Sequence, residues 1–284
     1  MKWVLHSVLR PAFEFAIFGN GFIALCATVM CHTTAYLFSL ALPASFLPFI
    51  FCSTLASYSF HWYLTDTSGS VSERSRWNQR HKGAMLWIAL AAGMLALGLL
   101  VRLQHYVPYL LPIVVMTFLY TAPKIDAYPF RYLRHVAILK TTYLALVWAY
   151  TTTALPLIME APAWQPAMAG WVVNRFLLIF SICLWFDYRD RDEDRGSKWL
   201  TIVSRLTPRQ VFHFAYVVAA GFFVTLPFLY QQGFSARTVA CISAPMLLLL
   251  GTIRSSAGWE SDYWYYVYLD GILIVAGILL AMVG

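Results

Sequence analysis

The chain has 284 residues, of which 60% are hydrophobic and only 12% charged. A soluble domain is usually about one-quarter charged, so this composition excludes a soluble globular protein. The formal net charge is +7, but the basic residues lie at the ends of apolar runs rather than along one surface, so we expect no nucleic-acid partner.

Apolar runs recur along the chain, each close to the roughly 20 residues that cross a bilayer as a helix. They predict an all-α integral membrane protein with about nine transmembrane helices. The sequence shows no soluble linker, so we expect residues 1–284 to form a single polytopic membrane domain, with charged cytosolic loops near 58–83, 122–135 and 187–210. The predicted spans are residues 12–31, 34–57, 84–101, 107–121, 136–157, 171–187, 211–230, 238–253 and 264–283.

Lysine and arginine concentrate in alternate loops, on the same side as Lys2 and Arg10. The opposite loops hold only Arg102 and Arg237. This asymmetry predicts a cytoplasmic N-terminus and, with an odd number of spans, a C-terminus outside. We therefore expect a multi-pass protein in contact with membrane lipids, in a bacterial inner membrane. The sequence does not specify an oligomeric state.

One charged segment stands out, residues 186–198, which read Phe-Asp-Tyr-Arg-Asp-Arg-Asp-Glu-Asp-Arg-Gly-Ser-Lys. On a helix, Asp187, Asp190 and Asp194 fall at i, i+3 and i+7 and share one face. Three hard oxygen donors suit Mg²⁺ on a phosphorylated ligand, and the arginines and Lys198 would contact phosphate oxygens. The alternative is a solvated segment whose acidic and basic side chains pair with each other. The first carboxylate adjoins a transmembrane helix, which favours a functional role.

This aspartate triplet, followed by Gly196 and Thr201, resembles the second aspartate-rich motif of the UbiA superfamily of intramembrane prenyltransferases. Nine helices with charged cytosolic loops after the second and sixth spans are also similar to that family. The resemblance implies a helical bundle with a central cavity open toward the cytoplasmic side. It also implies Mg²⁺ as the cofactor and a prenyl diphosphate as the substrate.

Residues 120–124, which read Tyr-Thr-Ala-Pro-Lys, are similar to the family's tyrosine and lysine segment in the corresponding loop. The resemblance implies that Tyr120 and Lys124 bind the diphosphate. Lys140 lies about one turn inside the fifth predicted span, where it either snorkels to the interface or offers positive charge to an anionic ligand. Arg175, within the sixth predicted span, is expected to snorkel toward the outer interface.

The chain departs from the family at the end of the second predicted span. Family members carry an Asn-Asp-x-x-Asp-x-x-x-Asp motif there, and the aligned residues 58–66 read Tyr-Ser-Phe-His-Trp-Tyr-Leu-Thr-Asp. Only Asp66 remains as a carboxylate, which puts a second metal ion in doubt. Tyr58, His61 and Thr65 share a helical face and could donate hydrogen bonds in place of a metal, although His61 could equally be structural.

A basic segment follows, placed like the segment that helps to hold the diphosphate in the family. It contains Arg74, Arg76, Arg80, His81 and Lys82. Arg76 and Arg80 are the candidates for phosphate contact. The alternative is a positively charged anchor for the next helix, and the two roles can coexist.

The resemblance thus implies a Mg²⁺-dependent transferase that moves a prenyl group from a prenyl diphosphate to a lipophilic acceptor, which an aromatic compound would fit. Two alternatives stay open: a non-catalytic protein of the same fold that binds an isoprenoid or a lipid phosphate, and a terpene cyclase. Metal ligation is expected from Asp187, Asp190 and Asp194, which form the catalytic set with Asp66. The residues expected to bind the diphosphate are Arg76, Arg80, Tyr120, Lys124, Lys198, His61 and Lys140.

Overall fold

The computed structural model describes residues 2–67, 72–121, 140–196, 202–253 and 261–283, without the side chains of 2–9 and 192–196. These residues are helical wherever they have regular structure, which confirms the predicted all-α class. Two π-helices, Tyr150–Ala154 and Trp264–Leu269, interrupt longer helices. The α-helices are α1 (Lys2–Phe18), α2 (Gly21–Leu37), α3 (Phe46–Leu64), α4 (Glu73–Arg80), α5 (Lys82–Arg102), α6 (Val107–Thr121), α7 (Lys140–Ala149), α8 (Leu155–Glu160), α9 (Pro166–Gly196), α10 (Ile202–Arg205), α11 (Pro208–Gln231), α12 (Ala236–Thr252) and α13 (Asp270–Val283).

Many of these helices have the length and apolarity of membrane spans. Among the described residues, five segments could each cross a bilayer, or six if the bent pair α1 and α2 forms one span. The count of nine spans therefore stays a prediction. The five segments are Lys82–Arg102, Lys140–Glu160, Pro166–Arg191, Pro208–Gln231 and Trp264–Val283.

The boundaries predicted for the first two spans are wrong. The chain bends by 58° between α1 and α2, in the middle of predicted span 12–31. At the bend, a Cβ on Gly19 would overlap the carbonyl oxygen of Phe15, and Asn20 adopts a φ of 68°. A left-handed residue ends a helix whatever its surroundings, so hydropathy alone does not reveal this break.

The chain divides into two compact units. Unit 1 consists of Met1–Val29, Pro43–His105 and Trp259–Gly271. Unit 2 consists of Met30–Leu42, Tyr106–Gly258 and Ile272–Gly284. That 1–284 forms a single membrane domain stays a prediction.

In unit 1, α5 packs along α3 through small side chains. Ala89, Ala92 and Ala96 are buried at helical spacing, and such residues allow two helices to approach closely. The other face of α5 exposes large apolar side chains, for which lipid is a better solvent than water. This face includes Trp87, Met94, Leu95, Leu97 and Val101.

In unit 2, α9 is the central helix, and α7, α10 and α11 pack against it. A Cβ on Gly170 would lie 2.6 Å from the ring of Phe228, so this glycine lets α9 and α11 cross closely. The helix continues to Gly196, well beyond the apolar run that ends near residue 187. The positions of the three aspartates therefore lie on one continuous helix, which is the condition for their sharing a face.

Candidate functional site

The carboxylate of Asp187 is buried inside unit 2. The residue is 6% exposed, and Oδ2 accepts a hydrogen bond from the hydroxyl of Thr141, itself only 2% exposed. Thr141 is the second residue of α7, which packs against α9. A buried carboxylate is stable only where hydrogen bonds or nearby cations compensate for its lost hydration.

Lys140 supplies such a cation. Its positive charge acts on both Asp187 and Tyr120, and the charge of Asp190 also reaches Tyr120. The structure therefore brings together four residues that were predicted from the sequence, and the orientation of Lys140 stays a prediction. We call Tyr120, Lys140, Thr141, Asp187 and Asp190 the Asp187 cluster.

Two tyrosines hold α6, which carries Tyr120 near its end, against the following helix. The hydroxyl of Tyr143 donates to the carbonyl of Met116 at 2.6 Å. The hydroxyl of Tyr150 donates to the carbonyl of Tyr109 at 2.9 Å. These bonds tie α6 to the segment that begins with Lys140 and so fix one side of the cluster.

Asp190 is paired with its neighbour rather than left open. The Nε of Arg189 lies 2.6 Å from Oδ1 of Asp190, and its Nη2 lies 3.3 Å from Oδ2. The Asp190 side chain is 38% exposed, so this is a surface pair of modest strength. A more strongly charged ligand can therefore separate the two residues at little cost.

The described carboxylates suit a divalent ion only in part. Asp187 and Asp190 lie one helical turn apart and offer hard oxygen donors, and Mg²⁺ commonly takes one or two carboxylates together with substrate phosphates. No three acidic, histidine or cysteine side chains converge within the described part of the chain. The side chain of Asp194, and all of Lys124 and Lys198, lie outside the described residues.

The other predicted residues belong to unit 1. Asp66 follows the end of α3 and is exposed, while His61 lies half-buried in the last turn of that helix. Arg76 and Arg80 are both exposed on one face of α4, and the opposite face is buried.

Arg74, which was not among the predicted site residues, is the buried arginine of α4. It is 3% exposed, and its guanidinium lies 4.1 Å from the ring centroids of both Trp62 and Tyr266. Its Nη2 donates to Oδ1 of Asn20 at 2.5 Å, and the Asn20 amide donates to the Ser59 hydroxyl at 3.2 Å. We call these five residues the Arg74 cluster. Nothing in the order of basic residues distinguished Arg74 from Arg76, because burial depends on how α4 packs.

The beginning of α4 is held by acidic and hydroxyl groups. The backbone amide of Arg74 donates to Oδ2 of Asp262 at 2.7 Å, and the hydroxyl of Ser261 donates to Glu73 at 3.2 Å. A carboxylate at a helix N-terminus satisfies an amide that has no partner within the helix and favours the helix dipole. These bonds fix the orientation in which α4 presents Arg74.

The expectation that Arg175 snorkels is wrong. The residue is 2% exposed, stacks at 4.3 Å on the ring of Trp171 and donates to the side chain of Asn174. It lies nine residues after Pro166, about 14 Å along α9 and about one-third of the way along the span Pro166–Arg191. The sequence placed Arg175 near one end of the predicted span because that span was taken to begin at residue 171.

No protein-family model matches this sequence, and no curated protein matches it. The structure, however, resembles the solved apo structure of a UbiA homologue from Aeropyrum pernix K1, with a TM-score of 0.58 and 12% sequence identity. The match covers 95% of this chain and 96% of that one. The chain has a UbiA-like fold. This confirms the fold that the resemblance in the sequence implies, and the apolar helices support a multi-pass membrane protein.

Proposed function

We propose that this UbiA-like chain is a Mg²⁺-dependent prenyltransferase that works through the Asp187 cluster. The observation that supports the proposal is a buried carboxylate, Asp187, held by Thr141 and faced by the positive charge of Lys140. A buried carboxylate at a helix crossing is costly for stability alone, which favours a functional role.

In this proposal the diphosphate of an allylic substrate lies against the Asp187 cluster. Bound Mg²⁺ would neutralise the diphosphate oxygens and improve the leaving group. Asp187 and Asp190 would hold the ion, with Asp194 as a third ligand. The guanidinium of Arg189 would release Asp190 and bind a phosphate oxygen instead, because the ion pair between Arg189 and Asp190 is partly exposed.

The reaction itself requires ionisation followed by capture. The allylic C–O bond breaks, pyrophosphate leaves with the bonding electrons, and Lys140 and Tyr120 stabilise the negative charge that develops on it. The prenyl carbon then bonds to a lipophilic acceptor, which loses a proton. If the acceptor is an alkene of the same prenyl chain, the same ionisation leads to cyclisation. The apolar span around the allylic cation contributes by excluding water from it.

Unit 1 would contribute no second metal ion. Ser59 and Trp62 stand where the resemblance places the first two aspartates of the other motif, and the guanidinium of Arg74 lies against this end of α3. A fixed guanidinium repels a divalent cation and makes one unnecessary for local charge balance. Arg76, Arg80, Lys124 and Lys198 remain proposed phosphate contacts, and Asp66 remains a proposed catalytic residue.

The direct test uses purified protein in nanodiscs with Mg²⁺ and geranyl, farnesyl or geranylgeranyl diphosphate, and measures pyrophosphate release. We expect release with at least one donor, dependent on Mg²⁺ and strongly reduced by Asp187→Asn. Glu160→Gln is a matched control, because Glu160 is also a unit 2 carboxylate that accepts a hydroxyl hydrogen bond, at 2.6 Å from Tyr106. Equal loss in both variants, or release without Mg²⁺, would contradict the proposal.

A second candidate is a non-catalytic protein that binds an isoprenoid diphosphate or a lipid phosphate. The observation that favours it is the loss of carboxylates over residues 58–65. In that case no donor releases pyrophosphate. Binding of a non-hydrolysable thiolodiphosphate analogue would nevertheless weaken in Asp187→Asn and stay unchanged in Glu160→Gln.

A further inference from the structure

Arg175 is a buried cation that the proposed function does not use. It lies on the same helix as Asp187 but twelve residues away, a separation of about 18 Å along α9. It therefore belongs to a different level of unit 2 from the Asp187 cluster. No carboxylate pairs with it in the described part of the chain.

The protein supplies hydrogen-bond acceptors for only some of the N–H groups of this guanidinium. Its Nε and Nη2 both donate to one atom, Oδ1 of Asn174, at 3.2 and 2.8 Å. A guanidinium has five N–H groups, and no described residue accepts from its Nη1. The outer edge formed by Nη1 and the second hydrogen of Nη2 is the edge that binds planar or tetrahedral oxyanions in a bidentate manner.

Asn174 offers Arg175 only its side-chain oxygen, because its side-chain nitrogen already donates a hydrogen bond elsewhere. Its Nδ2 donates to the hydroxyl of Thr225 at 2.7 Å, and that hydroxyl donates to the carbonyl of Phe222 at 2.6 Å. This order of donors determines which end of the Asn174 amide faces Arg175. Asn174 therefore holds the guanidinium in one orientation but leaves its charge unbalanced.

The surroundings are rigid, aromatic and hydroxyl-rich. Trp171 covers one face of the guanidinium and donates its Nε1 hydrogen to Thr34 at 3.1 Å. Thr34 is fully buried and lies 3.1 Å from the carbonyl of Thr152, on the π-helix that packs against α9. The hydroxyl of the adjacent Thr151 is buried without a hydrogen-bond partner. Buried groups left unsatisfied in this way indicate a ligand or ordered water.

We propose that Arg175 binds the oxyanion head of an amphiphile, a carboxylate or a phosphate, within the membrane-spanning part of unit 2. A lone guanidinium in an apolar span needs a counter-charge, and membrane amphiphiles supply one while keeping their tails in an apolar environment. Trp171 and Asn174 preorganise the cation. The site is independent of prenyl transfer, so this proposal and the one for the Asp187 cluster can be tested and rejected separately.

The test measures binding of three probes that share a long tail, with purified protein in a neutral detergent. Oleate carries a carboxylate, oleoyl lysophosphatidate carries a phosphate, and oleyl alcohol carries no charge. We expect at least one charged probe to bind at least tenfold more tightly than the alcohol. Tighter oleate binding identifies a fatty-acid carboxylate, and tighter lysophosphatidate binding identifies a phospholipid head group.

The variant arm compares Arg175→Gln and Arg175→Lys with Arg237→Gln. Arg237 is an exposed arginine of unit 2 whose Nη1 donates to the carbonyl of Val283 at 3.3 Å. We expect Arg175→Gln to weaken the preferred charged probe at least tenfold, Arg175→Lys to retain part of the affinity, and Arg237→Gln to have no effect. Equal affinity for charged and uncharged probes, or unchanged binding in Arg175→Gln, overturns the proposal. Because Arg175→Lys keeps a cation, it separates loss of the head-group contact from loss of folding.

Discussion

Asp187 in unit 2 and Arg74 in unit 1 are buried charges of opposite sign that the protein holds in different ways. In unit 2, the anion of Asp187 is balanced by a hydroxyl and a nearby ammonium group, all supplied by α7. In unit 1, the cation of Arg74 lies against two aromatic rings and is held by an amide. A carboxylate with a flexible ammonium beside it can accept a ligand. A guanidinium packed against two aromatic rings and hydrogen-bonded to an amide is held in place. This difference supports our proposal that the Asp187 cluster of unit 2 is the reactive site.

The largest expected effect is on catalysis through Asp187. We expect Asp187→Asn to lower the rate of pyrophosphate release by about 10² to 10³-fold, because an amide is a poor ligand for a divalent cation and carries no charge. The measurement is release at saturating Mg²⁺ and donor. A loss smaller than tenfold would mean that the buried carboxylate of unit 2 is structural, like the charge buried in unit 1.

The next effect is on stability in unit 1. Arg74→Met should lower the free energy of unfolding by about 3 kcal/mol, because it removes two cation–π contacts and a charged hydrogen bond and leaves the Asn20 oxygen unsatisfied. Unfolding by a denaturing detergent measures the change. Arg102→Met, at an exposed arginine at the end of α5, is the control. Equal stability of the two variants would remove the evidence that Arg74 locks α4 in place.

A smaller effect separates positioning from chemistry in the Asp187 cluster. Thr141→Val should lower kcat about tenfold by releasing the Asp187 carboxylate, while KM for the donor changes little. Thr141→Ser keeps the hydroxyl and should restore the rate. If serine and valine behave alike, the hydrogen bond from α7 does not orient the carboxylate.

The smallest expected effect is on how the stability of unit 1 depends on pH. Partial burial and the nearby carboxylate of Glu14 raise the pKa of Tyr263 to about 12. The folded protein therefore holds this phenol proton more tightly than the unfolded chain does. The stabilisation is complete below about pH 10 and is lost as the pH rises from 10 towards 12. Across this pH range the temperature of thermal unfolding should fall less steeply in Tyr263→Phe than in the native protein. Identical slopes would contradict the assignment.

Parts of the Asp187 cluster were accessible from the sequence because they depend on helical spacing. Asp187 and Asp190 lie one turn apart on any helix, and the charged run that contains them continues from an apolar span. Thr141 was missed because a threonine next to a lysine carries no signal of its own. Its role depends on α7 packing against α9, and the sequence does not specify that contact.

The sequence by itself determined that this is an all-helical membrane protein with an acidic segment at the end of a span, because apolarity and helical period are properties of neighbouring residues. Only the tertiary structure decided that Arg74 and Arg175 turn inward while Arg76 and Arg80 face outward. Arg74, Arg76 and Arg80 lie in one basic segment, so nothing local distinguishes them, and the inward orientation of Arg175 was not predicted from its apolar neighbours. Their burial depends on partners far along the chain, such as Tyr266 and Thr225, which only folding brings near.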